Sequence, residues 1–186
     1  MLRLGVPALA FLALLILTAV QFGSRDNQPA AAGGMPLGAG SMSAPDISSM
    51  SPQERADRLF NRVMLLSSEG KTDSAAFFVP MALAAIEALA PLDAHQRYDL
   101  GLVALVMGDV SRATAEAEAI LEEQPTHLLG LVLAARTADL RGDAAAGSDF
   151  RQRLVAAEPA ERARALQEYA DHDADIRAAI ASARAG

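Results

Sequence analysis

Apolar side chains recur three or four positions apart from Ser51 onward, which is the spacing of one face of an α-helix. The first residues to show this spacing are Leu59, Phe60, Val63 and Leu66. They follow Ser51-Pro52-Gln53-Glu54, in which Ser51 can cap a helix, proline fits the first turn and Glu54 can complete a capping box. The pattern predicts a first helix that ends near Ser68.

The same spacing continues along the chain, so the predicted fold class is all-α. Asp93 and Gln96 are placed for a second capping box, and Pro80 either kinks the second helix or marks its beginning. The later helices are predicted at about 73–90, 94–107, 111–123, 126–141, 144–157 and 160–183. The last is either one long helix or two short helices that meet near Asp171.

Turn residues and prolines repeat at a fixed interval in the second half of the chain. Gly108-Asp109 lies between two predicted helices, and Gly142-Asp143 follows it 34 residues later. Pro125 closes the first of these units, and Pro159 follows Pro125 at the same interval. Paired helices at this period are typical of stacked helix–turn–helix repeats.

The unit from Tyr98 to Pro125 resembles the tetratricopeptide repeat (TPR). The matching residues are Leu100-Gly101 in the first helix, Gly108-Asp109 in the turn, Ala113 as the small packing residue and Pro125 at the end. The chain departs from the family where large aromatic residues are usual, with Arg97, Ala104 and Ala117. The resemblance implies a short solenoid of antiparallel helix pairs, with repeats at about 53–91, 94–127 and 128–159 and a C-terminal capping helix at about 160–184.

The resemblance also implies a concave surface, lined by the first helix of each pair, that holds a partner peptide or helix. Its residues in the second and third repeats are His95, Tyr98, Leu102, Leu105, Val106, Leu129, Val132, Arg136, Asp139 and Leu140. Because this set is mostly apolar, with Arg136 and Asp139 as polar anchors, we expect it to receive the apolar face of a partner helix or extended segment. The alternative is that neighbouring helices, above all 160–183, cover the same residues as ordinary core.

Residues 4–22 contain no charged side chain and predict an N-terminal transmembrane anchor helix. At about 1.5 Å per residue the segment is roughly 28 Å long, close to the thickness of a hydrocarbon core. Arg3 precedes it, so the positive-inside rule predicts a cytoplasmic N-terminus and an exported helical domain. The alternative is a cleaved signal peptide, for which the small residues at 30–32 come late.

Residues 23–50 are rich in Gly, Ala, Pro and Ser and predict a disordered, flexible linker. Lys71 is the only lysine beside fifteen arginines, and alanine is abundant, as in proteins from GC-rich bacterial genomes. Together with the anchor, this composition predicts a single-pass protein of a bacterial inner membrane with a periplasmic helical domain.

Charge and cysteine content exclude several classes of function. The net charge of −7 argues against nucleic-acid binding, because a phosphate backbone selects basic surfaces. Cysteine is absent, which excludes disulfides, thiolate metal sites and cysteine nucleophiles. No motif for catalysis or cofactor binding stands out, so we predict neither an enzyme nor a cofactor.

The sequence most similar to a metal motif is Asp171-His172-Asp173-Ala174-Asp175. It fails as a calcium loop because Ile176 occupies the sixth position, where glycine is needed. An acidic, solvated helix junction is the simpler interpretation, and His95 and His127, at helix starts, are expected at the surface.

The predicted function is a scaffolding or protein-interaction module of a bacterial envelope complex. One alternative is a structural subunit of a membrane complex that is held there by its anchor helix. A less favoured alternative is a metal-binding or enzymatic protein that uses the Asp171-His172-Asp173 region.

Overall fold

The computed structural model describes residues 50–185, and this part of the chain consists of helices without any strand. The helices are α1 (Pro52–Ser68), α2 (Thr72–Glu87), α3 (Ala94–Val106), α4 (Val110–Glu123), α5 (Leu128–Leu140), α6 (Ala144–Arg162), α7 (Gln167–Asp171) and α8 (Asp173–Ala185). The all-α prediction is confirmed for these residues. The predicted anchor 4–22 and all of the predicted linker except Met50 lie outside them. Among the helices described, none has the length and apolar character needed to span a membrane.

Both predicted capping boxes are present. The Ser51 hydroxyl accepts from the backbone N–H of Glu54 at 3.2 Å, and the Glu54 carboxylate accepts from the backbone N–H of Ser51 at 2.9 Å. Asp93 and Gln96 exchange the equivalent bonds at 2.8 and 3.1 Å. Each cap satisfies N–H groups that a helix start leaves unpaired, which stabilises the helix by about 1 kcal/mol.

The turns inside three successive helix pairs are built in the same way. Each contains a glycine with a positive φ, at Gly70 (70°), Gly108 (74°) and Gly142 (77°). The residue after each glycine donates its N–H to the carbonyl five positions back, with the pairs Lys71–Leu66, Asp109–Ala104 and Asp143–Ala138 at 2.9, 3.1 and 2.9 Å. This is the pattern of a left-handed glycine that ends a helix, so the sequence period corresponds to a repeated local structure.

A small residue follows each of these glycines by five positions, where the second helix of the pair meets the first. Ala75 and Ala113 are fully buried. At the third position, a Cβ on Gly147 would lie 2.3 Å from Oδ1 of Asp139. Small side chains at these positions let the two helices of a pair approach closely.

Each helix from α1 to α5 packs against the next along the chain, and α3 also contacts both α1 and α5. α8 packs against α5 and α6. One core cluster lies among α1, α2 and α3 and includes Val63, Phe78 and Leu100. The second joins α3 to α8, with Tyr98 and Ile176 in the same cluster.

Two prolines lie inside helices, and only Pro159 departs from the sequence prediction. Pro80 lies inside α2, which begins at Thr72. Pro159 was expected to close the third repeat, but α6 continues through it to Arg162. Proline removes one helical N–H donor, yet Ala157 and Glu161 on either side of Pro159 are buried, and this packing favours continuing the helix.

The C-terminal segment forms two helices, which resolves the alternatives left open by the sequence. α7 ends at Asp171 and α8 begins at Asp173, so His172 is the junction between them.

Candidate functional site

Three side chains from two distant parts of the chain meet beside the start of α3. His95 and Asp99 lie one helical turn apart on the same face of α3, and His172 comes from the α7–α8 junction. The Nε2 atoms of His95 and His172 are 3.1 Å apart, and Nε2 of His172 is 3.1 Å from Oδ1 of Asp99. Nε2 of His95 is 3.8 Å from Oδ2 of Asp99. We refer to these residues as the His95–Asp99–His172 cluster.

The cluster is largely shielded from solvent on the Asp99 and His172 side. Asp99 is 8% exposed and His172 is 9% exposed, whereas His95 is half-buried. Oδ1 of Asp99 is buried and makes no hydrogen bond to the described residues, although Nε2 of His172 lies at ion-pair distance. An unpaired carboxylate oxygen in a buried position is costly unless a positive group compensates it.

A second layer of polar groups holds His172 in place. Its Nδ1 is 3.8 Å from Oδ2 of Asp175, and the same Oδ2 accepts a hydrogen bond from the Tyr98 hydroxyl at 3.0 Å. The rings of Tyr98, His95 and Phe60 meet the imidazole of His172 edge-on. The orientation of His172 is therefore set from both of its ring nitrogens and from its faces.

These contacts shift the proton affinities of the groups involved. Burial acts to lower the pKa of His172, but the polar contacts with Asp175 and Asp99 and the negative charges of these two carboxylates outweigh it and raise the pKa to about 9. Bonding to His172 lowers the pKa of Asp175, while burial and Asp175 raise that of Tyr98 well above its ordinary value. The two carboxylates thus make the surroundings of His172 favourable for positive charge.

A cavity of about 350 Å³ adjoins the cluster. Its wall is formed by Gln53, Asp57, Phe60 and Asn61 of α1 together with His95, Asp99, Asp171 and His172. The lining is mainly polar, and the half-buried ring of His95 lies on its surface. The cavity leaves room for water or a small ligand next to the cluster.

The ten residues predicted to form the partner groove fall into three groups. Tyr98, Leu102, Leu129 and Val132 are buried in the core cluster that also contains Ile176 and Ile180 of α8. His95, Leu105 and Val106 are half-buried. Arg136, Asp139 and Leu140 are exposed, and Asp139 pairs with Arg151 at 2.6 Å.

Part of the predicted groove is therefore covered from within the chain, by α8. A cavity of about 210 Å³ remains between α5 and α8, with Arg136 and Asp139 on one side and Ala178 and Ser182 on the other. Binding of a partner at the exposed positions stays a prediction.

The predicted acidic motif contributes only one residue to the cluster. Asp171 is exposed and accepts from the Gln167 amide at 2.9 Å, and Asp173 pairs with Arg162 at 2.8 Å. The pairing of His172 with His95 and Asp99 was not predicted from the sequence. The four-residue spacing of His95 and Asp99 on a predicted helix was a readable signal. Their partner lies more than 70 residues away and only the tertiary structure reveals it.

The expectation that His127 lies at the surface is wrong. His127 is fully buried, and its Nε2 lies 3.5 Å from Oε1 of Glu168. Neither ring nitrogen makes a hydrogen bond to any residue between 50 and 185. Burial lowers the pKa of His127, against the opposing effect of Glu168 and Glu161.

A second buried polar network lies next to His127. Glu161 of α6 accepts from the hydroxyls of Thr126 and Tyr169, both at 2.7 Å, and from the guanidinium of Arg164 at 2.7 Å. The Tyr169 hydroxyl in turn accepts from the backbone N–H of Leu128 at 3.3 Å. Burial acts to raise the pKa of Glu161, but these three donors outweigh it and lower that pKa. The network ties α7 to the α4–α5 connection.

Comparison with known proteins finds no family model, curated protein or solved structure that matches this chain. The resemblance to tetratricopeptide repeats therefore depends on the residues quoted above. Any function has to be argued from the geometry of the molecule itself.

Proposed function

We propose that this chain is a membrane-anchored scaffolding module of a bacterial envelope complex, which binds a helix or peptide of another protein. In this proposal residues 4–22 are the inner-membrane anchor, 23–50 the tether, and the helix pairs form a TPR-like solenoid that stands in the periplasm. Its action is binding, and it needs neither catalysis nor a cofactor.

The position of α8 is the observation that carries the proposal. α8 contributes Ile176 and Ile180, one helical turn apart, to the core cluster that contains Tyr98, Leu129 and Val132. Asp175 anchors the same helix by accepting from the Tyr98 hydroxyl. The surface that the sequence analysis assigned to a partner is thus suited to an amphipathic helix with an apolar pair and an acidic anchor.

The partner surface that we propose is the part of this region that α8 leaves exposed. Leu140 is 57% exposed at the end of α5, and Val106 stands at the equivalent end of α3. Arg136 is exposed one turn before Leu140 and offers a cation for an acidic group of the partner. A partner segment with an apolar side chain for Leu140 and an acidic group for Arg136 fits these features.

The first experiment is a detergent pull-down of the full-length chain from its native membrane, beside a chain that begins at Ser51. Recovery of the same envelope proteins by both chains supports recognition by the helical part. Partners recovered only by the full-length chain favour the alternative, a structural subunit held through its anchor.

Point variants then locate the surface. We expect Leu140→Glu to abolish partner recovery with an unchanged unfolding curve, because its side chain is mostly exposed. The matched control is Phe77→Glu on α2, where the side chain is 56% exposed and partner recovery should persist. Leu102 is unsuitable for this test because it is buried and a charge there would disrupt the fold. Recovery that survives Leu140→Glu and Arg136→Glu would exclude this surface.

A further inference from the structure

We propose that His95, Asp99 and His172 form a zinc-binding site that joins α3 to the α7–α8 junction. This site goes beyond the proposed protein-binding function and does not depend on it. It is built from residues on different elements, and only one of them belongs to the acidic motif visible in the sequence.

The spacing of the donor atoms fits a tetrahedral ion. Zinc binds imidazole nitrogen and carboxylate oxygen at about 2.0–2.2 Å, which places neighbouring ligand atoms roughly 3.3 Å apart. The separations here are 3.1 Å between the two Nε2 atoms, 3.1 Å from His172 Nε2 to Asp99 Oδ1, and 3.8 Å from His95 Nε2 to Asp99 Oδ2. One donor atom from each of the three residues lies within 4.8 Å of the other two, so side-chain adjustment at His95 would bring all three donors onto one ion.

The donor types favour zinc, or another transition metal that binds imidazole, over calcium and magnesium. Two imidazoles and one carboxylate suit zinc better than calcium or magnesium, which prefer oxygen ligands. Three protein ligands leave a fourth tetrahedral position, and the cavity of about 350 Å³ beside the cluster gives water access to it.

Two further observations point to a ligand at this position. Asp99 is only 8% exposed, and its Oδ1 makes no hydrogen bond within the described chain. Asp175 lies at the far nitrogen of His172 and is itself held by Tyr98, as an outer carboxylate does for a metal-bound histidine. A bound cation would take the place of the His172 proton beside Asp99 and would compensate the charge of this buried carboxylate.

The test uses the untagged full-length chain in detergent, stripped with a chelator and dialysed against zinc chloride. We expect one zinc per chain, and cobalt as a probe should give the intense visible absorption of tetrahedral coordination. His95→Gln and Asp99→Asn should each lose this stoichiometric binding. Asp57→Asn, which changes another acid in the wall of the same cavity, should keep it. Asp175→Asn should bind zinc about 10–100-fold more weakly, because it removes the group behind His172.

Absence of stoichiometric zinc in the wild-type chain overturns the inference. So does zinc retained at wild-type affinity by His95→Gln. That variant is decisive because the His95 side chain is 33% exposed, so its replacement leaves the core untouched. If zinc binding is lost while the helical circular dichroism spectrum is unchanged, the loss is due to the missing His95 ligand and not to unfolding. A pull-down that fails to recover partners bears on the proposed function only.

Discussion

The hydroxyl of Tyr98 donates a hydrogen bond of 3.0 Å to Oδ2 of Asp175, which lies 77 positions further along the chain. This bond connects α3 with α8, and the Tyr169–Glu161 bond connects α7 with α6 in the same way. The only two tyrosines of the chain are therefore both buried and both use their hydroxyls to hold the C-terminal segment. A buried tyrosine needs such a partner, because its hydroxyl loses water on folding.

Removal of each hydroxyl should have a different cost. Tyr98→Phe should lower the free energy of unfolding by about 1 kcal/mol, because the Asp175 side chain is partly exposed and water can replace the lost donor. Tyr169→Phe should cost more, about 1–3 kcal/mol, because it also leaves the buried N–H of Leu128 without its acceptor. Urea unfolding of both variants measures the difference, and equal losses would show that the Leu128 bond contributes nothing.

The positive φ at the repeated turns predicts a backbone effect that is independent of packing. Gly142 has φ 77°, and a Cβ there would meet nothing within 4 Å. Gly142→Ala should therefore destabilise the fold by about 1–2 kcal/mol through backbone strain alone. Gly142→Asn is the control and should cost less, because asparagine tolerates the left-handed region. If Gly142→Ala and Gly142→Asn shift the urea midpoint equally, backbone strain is not the cause of the destabilisation.

Stability should depend on pH through His127. Its folded-state pKa is lowered, so the unfolded chain binds the proton more tightly. The contribution of neutral His127 is fully present above the ordinary pKa of 6.5 and is lost as the pH falls below that value. Burial is the main cause, with Glu168, Glu161 and Arg164 as the charged groups that face the ring.

The measurement is thermal unfolding across this pH range with a chelator present, for the wild-type chain and for His127→Leu. On acidification the wild-type chain should lose stability more steeply than His127→Leu. Subtracting one curve from the other removes the effect of the titrating groups that both chains share. Direct titration of the His127 ring by NMR is the second check, and a pKa at or above 6.5 would contradict the prediction.

Zinc bound at the His95–Asp99–His172 cluster should stabilise the folded chain. At a free zinc concentration about 100 times the dissociation constant, the free energy of unfolding should rise by about 2.7 kcal/mol. Urea unfolding with and without zinc measures the change, and Asp99→Asn should show none. An equal rise in Asp99→Asn would place the ion elsewhere on the chain.

Local signals in the sequence predicted most helix starts and turns. Ser51 with Glu54 and Asp93 with Gln96 form the expected capping boxes because each depends on residues three positions apart. The Gly108 and Gly142 turns likewise depend on a backbone conformation that glycine adopts at low cost. Pro159 is different, since burial of the surrounding turn outweighs the local preference to stop.

The all-α class and the repeated turns could be predicted from local sequence, because caps, glycines and apolar spacing act over a few residues. The fold was needed to show that α8 joins Tyr98 and Leu129 in one core cluster, and that His172 meets His95 and Asp99. Those contacts depend on how the C-terminal segment packs against α3 and α5, which lie much earlier in the sequence. That packing is set by the summed burial of many side chains, and no single local pattern records it.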